Sequence, residues 1–72
     1  MEGYNMIDAL KKIYEADIAH AQANIQVYLQ NPAGIGEHPE IMQSIGTQLR
    51  KIAEAEHHIE VLQKHFVDQK VI

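Results

Sequence analysis

The sequence predicts an all-α fold, an antiparallel two-helix hairpin in a single domain, on three observations. Both prolines and two of the four glycines fall within nine residues, Asn31-Pro32-Ala33-Gly34-Ile35-Gly36-Glu37-His38-Pro39. On either side, apolar residues recur at steps of three and four, the period of an amphipathic helix. The break between them is short, and short connections make sequential helices antiparallel neighbours.

The first helix is expected over about 6–30. Asn5 is an N-cap candidate, and Asp8 sits where a carboxylate is favoured by the helix dipole. Ile7, Leu10, Tyr14, Ile18, Ala21, Ile25 and Leu29 then follow at steps of 3, 4, 4, 3, 4 and 4. That eleven-residue repeat tracks one face of a nearly straight helix. Pro32 biases Asn31 out of the α region and ends it. At ~1.5 Å per residue it is roughly 37 Å long.

The turn is expected over 31–38 and the second helix over about 39–67. Pro39 is tolerated in the first helical turn because its missing amide proton is not needed there, and Glu40 is well placed beside it. Ile45, Ile52, Ile59 and Phe66 recur at seven-residue spacing, with Met42, Leu49, Ala55 and Leu62 on the adjoining line. This is a coiled-coil seam, weakened by Gln48, Glu56 and Gln63. Gly46 lowers helix propensity by ~1 kcal/mol relative to Ala and marks either a close helix approach or a tolerated glycine. Pairing back from the turn sets Leu29 near Met42, Ile25 near Ile45, Ala21 near Leu49, Ile18 near Ile52 and Ile7 near Phe66. Ile35, between Gly34 and Gly36, is expected to plug the end of the pair, with the glycines supplying positive φ.

Composition narrows the function classes. A chain of 72 residues is near the size at which one core is only marginally stable. With no cysteine, it has neither disulfides nor thiolate metal sites, which is compatible with a reducing cytoplasm. No apolar run is long enough for a transmembrane helix, and the N-terminus lacks the regions of a signal peptide. A net charge of −4, with ten acids against six bases, lacks the footprint of a nucleic-acid binder and disfavours anionic membranes.

Helix 1 carries a second line: Met6, Ala9, Ile13, Ala16, His20, Ala23 and Val27. Its alanines keep one heptad position small, so another helix can approach closely. Two helices cannot bury two stripes, and Val61, Val71 and Ile72 lie off the main seam as well. A homo-oligomer is therefore expected, most simply a homodimer forming a four-helix bundle, with Ala9, Ile13, Ala16, Ala23 and Val27 as interface candidates. The plainer reading is helix-forming alanine on a solvated surface.

One constellation could carry chemistry. Asp17 with His20, and Glu54 with His57, each place an acid and a histidine at i, i+3, on one face of a helix. Carboxylate-bridged dimetal bundles use such pairs from two helices with further glutamates from two more. Neither pair lies on the inward stripe, and the extra glutamates would come from another subunit. A solvated flank of charged pairs is the favoured reading, so no metal and no cofactor is expected. Gly34-Ile35-Gly36 lacks the strand and third glycine of a dinucleotide fingerprint. Ser44 is the only serine and falls inside a helix, so no serine triad is possible. An enzyme is not expected.

The stretch from about Tyr14 to Leu62 resembles small helical-hairpin proteins of tailed phages, marine and cyanobacterial ones in particular. The turn with its flanks carries the resemblance, Tyr28-Leu29-Gln30-Asn31-Pro32-Ala33-Gly34-Ile35-Gly36-Glu37-His38-Pro39, followed by Lys51-Ile52-Ala53-Glu54-Ala55-Glu56. It implies a phage or marine microbial setting and brings no activity or site residues. The expectation is a small cytoplasmic protein, in the host cytoplasm if phage-encoded, that self-associates and acts through protein–protein contacts as an assembly or host-interaction factor. The alternative is a metal-binding bundle built on the carboxylate–histidine pairs.

Overall fold

The computed structural model describes residues 5–30 and 38–67, the side chains of residues 38 and 39 excepted. Helix α1 spans Met6–Gln30 and helix α2 spans His38–Leu62, continued by a π-helical turn over Gln63–Val67. There is no strand among the described residues. The two helices pack against each other as an all-α hairpin. The expected plug at Ile35, the positive φ at Gly34 and Gly36, and the positions of Val71 and Ile72 lie outside the described residues.

Asn5 starts α1 by satisfying a free amide of the first turn. Its Oδ1 accepts a hydrogen bond from the Asp8 backbone N–H at 2.9 Å, while its Nδ2 donates to Asp8 Oδ2 at 3.2 Å. The Ala9 N–H already reaches the Asn5 carbonyl at 3.1 Å, closing the first α-helical turn. Cap and acid therefore hold one another in place, a close relative of the capping box.

Two contacts fix how the helices lie. Asn24 Nδ2 donates to Gln48 Oε1 at 3.2 Å, and the Tyr14 ring stacks on His58 with centroids 4.9 Å apart. Moving back from Asn24 to Tyr14 moves forward by the same ten residues on α2, so the chains run antiparallel. In this register residues lie opposite one another about two positions further along than the ladder inferred from the turn.

The inward stripe of α1 is the expected one, with its last residue changed. Ile7, Leu10, Tyr14, Ile18 and Ile25 are half-buried and Ala21 is buried, but Tyr28 rather than Leu29 continues the line. On α2 the correction is larger. Ile41, Gln48, Ala55 and Leu62 are buried, with Ile45, Ile52 and Ile59 half-buried beside them. Met42 is 73% exposed and Leu49 is more than half exposed. Neighbouring helical residues diverge by ~100°, so Ile41 and Met42 cannot both face α1. Gln48 takes the seam position that Leu49 was expected to fill, and its bond to Asn24 makes that burial tolerable.

Phe66 departs from the seam for a backbone reason. The wider π-helical turn lags behind the α-helical period, so the side chain due seven residues after Ile59 is carried off the face. Phe66 is 64% exposed and meets His65 edge-on at 6.5 Å instead of Ile7. Gly46 marks no close approach within the chain, since a Cβ built there meets nothing within 4 Å. The neighbouring Thr47 Oγ1 bonds back to the Gln43 carbonyl at 3.0 Å, a back-bond found inside many helices.

Candidate functional site: an uncovered seam and a charged cleft

Behind its inward stripe, α1 carries a second seam with unbroken 3,4 spacing: Met6, Ala9, Ile13, Ala16, His20, Ala23, Val27. At 100° per residue its centre lies about 130° around the helix from the stripe that meets α2. The hairpin therefore cannot cover it. Met6 is 86% exposed, Ile13 and Val27 are more than half exposed, and Ala16, His20 and Ala23 are exposed too. Ala9 alone in this line is half-buried. The five residues singled out as interface candidates thus share one face of α1. Leu29, Met42 and Leu49 add exposed apolar surface elsewhere. By contrast, the buried apolar side chains among the described residues are Ala21, Ile41, Ala55 and Leu62.

The carboxylate–histidine pairs meet a different fate. Asp17, His20 and Glu54 line one open cleft of about 300 Å³ between the helices, together with Tyr14, Lys51 and Ala55. Antiparallel packing brings Asp17 and Glu54 to the same level, as their spacing from the turn suggested. His57 does not join them. It pairs with Glu60 at 3.6 Å, both side chains well exposed, a surface contact of little energetic weight. Its neighbour His58 turns toward α1 and stacks on Tyr14 at an interplanar angle of 17°. Helical geometry separates the two histidines by ~100°, so only one of them can face the partner helix.

Chemically, the cleft is a wet opening with two carboxylates, an imidazole and an ammonium on its rim. All four groups belong to exposed residues, so water screens them from one another. Among the described residues, no three Asp, Glu or His side chains converge so as to hold a metal ion. The polar group missed by the sequence reading is the Asn24–Gln48 bridge. The seven-residue spacing of Ile41, Gln48, Ala55 and Leu62 signals the burial of Gln48 but not its partner Asn24. No described helix is long and apolar enough to cross a membrane. No protein-family model, curated protein or solved structure matches the chain.

Proposed function

We propose that this chain is a small self-associating helical protein that works through protein–protein contact rather than by catalysing a reaction. The observation that carries the reading is the imbalance on α1. Its outer seam presents Met6, Ile13 and Val27 more than half exposed, while two of the four buried apolar side chains among the described residues are alanines. A core that small supplies little hydrophobic stabilisation, and small domains commonly make up the deficit by oligomerising. On this reading the protein is cytoplasmic, as its lack of cysteine permits. The resemblance of its turn to phage hairpin proteins adds a setting and no mechanism, and within that setting the role proposed is that of an assembly or host-interaction factor. Light scattering across the micromolar range tests the proposal. The expected mass is a multiple of 8.2 kDa, and a folded monomer throughout would refute it.

A metal-binding bundle is the competing reading, favoured by Asp17, His20 and Glu54 lining one cleft, although they do not converge there as a metal-holding group. The placement of His57 with Glu60 weighs against it. Melting with zinc, iron or manganese separates the two. A site filled at a hundredfold excess over Kd would stabilise by about 2.7 kcal/mol. Glu54→Gln would abolish that gain, whereas generic binding to surface histidines would survive it. The expected result is little change in melting temperature with any of the metals.

A further inference from the structure

We infer that the outer seam of α1 is covered by the same seam of a second copy of this chain, helix against helix and antiparallel. The inference rests on the self-association proposed above and specifies its surface, partner and register.

Size selects the occupant. A compact monomer of this mass would expose about 4,500 Å², by the scaling of accessible surface with mass. This chain exposes 5946 Å². The surplus of about 1,400 Å² exceeds the ~800 Å² that each partner contributes to a standard interface, so the chain leaves enough surface uncovered to pair with a second copy. Shape agrees: the smallest principal extent is 13 Å, a single layer of helix, whereas stable domains pack two or more layers.

Residue order selects the orientation. The seam has two interleaved series, large residues at 6, 13, 20 and 27 and alanines at 9, 16 and 23. A parallel pair would set like against like, stacking His20 on its own copy and leaving voids between facing alanines. In an antiparallel pair each position of one series faces the other series. With the helices fully overlapped, Val27 meets the partner's Ala9, His20 meets the partner's Ala16 and Ile13 meets the partner's Ala23. A large side chain then faces a small one in each of these layers, the condition for interdigitated packing. The seam contains no Asp, Glu, Lys or Arg, so closing it strands no full charge.

The chain has no native cysteine, which makes cross-linking a clean test. Positions 9 and 27 of one helix are about 27 Å apart, far beyond disulfide reach within a chain. The double variant Ala9→Cys with Val27→Cys, oxidised at micromolar concentration, should therefore run as a covalent dimer on a non-reducing gel. Ala9→Cys alone should stay uncross-linked. Cross-linking of the single variant as readily as the double one would overturn the antiparallel register. A double variant that fails to cross-link, beside a wild-type dimer in sedimentation, would overturn the seam while leaving self-association standing. A wild-type monomer in sedimentation would overturn both.

Discussion

Helix α1 has two faces with the same helical spacing, different residues and opposite fates. The inward face alternates isoleucine, leucine and tyrosine with one buried alanine, and meets a partner helix whose position is pinned by Asn24 and Gln48. The outward face places alanine at every second seam position and, apart from half-buried Ala9 and the cleft-lining His20, is exposed. What separates the two is the presence of a large, register-matched neighbour. An inward stripe of bulky residues suits a neighbour held at one distance by its own connection, whereas an alternating seam suits close approach by a helix of the same kind. A polar pair inside the inner seam costs some stability and fixes one register, the recognised use of such groups in helical packing.

Charged substitutions should break this comparison most sharply. Ile52→Asp puts a carboxylate into the inner seam, at an expected cost of several kcal/mol, and should erase most of the helical signal in far-UV circular dichroism. Ile13→Asp on the outer seam should instead abolish association and retain more helicity. Equal helicity losses in the two variants would show that the faces are not distinct. Enlarging the alanines is the next test. Ala21 is 1% exposed, so Ala21→Leu should overpack the hairpin and destabilise it by about 1–3 kcal/mol in thermal melts. Ala23→Leu should act on dimer affinity in sedimentation, because the hairpin leaves space there.

Smaller effects sharpen the picture. Gly46→Ala should stabilise by about 0.5–1 kcal/mol, since the added methyl meets nothing and the unfolded chain loses freedom. That is worth a few degrees in melting temperature for a domain this small. A loss instead of a gain would place Gly46 against another subunit. The smallest effect expected is at Asp17, which the antiparallel register sets beside its own copy near the two-fold axis. Asp17→Asn should tighten the dimer about twofold, the scale of one relieved surface repulsion. Weaker association in this variant would contradict that placement.

The hairpin was legible because two kinds of signal agreed. Proline and glycine were confined to one segment, and both flanks kept a helical period. The α2 seam was only half legible. Ile45, Ile52 and Ile59 stood out, but Leu49 is more hydrophobic than Gln48, and the seven-residue step back from Leu49 leads to Met42 instead of Ile41. A glutamine can be buried at a seam position when a partner such as Asn24 is in reach, and a sequence does not display that partner. The loss of Phe66 was illegible for another reason: a π-helical turn is a backbone irregularity with no marker in Gln63-Lys64-His65-Phe66-Val67. At the cleft, Asp17 and Glu54 could be set opposite each other from their distance to the turn. The choice of His58 over His57 as the histidine facing α1 depended on the helix's rotation about its axis, which the misassigned seam had obscured.

The dependence of the melting temperature on protein concentration tests the central claim most directly, because it links folding to association in one experiment. If the hairpin is completed by a second copy, the unfolding midpoint should climb steadily with each tenfold rise in concentration, as mass action requires. A midpoint that stays fixed from low micromolar to millimolar protein would mean that the hairpin is stable alone and that its outer seam is ordinary surface.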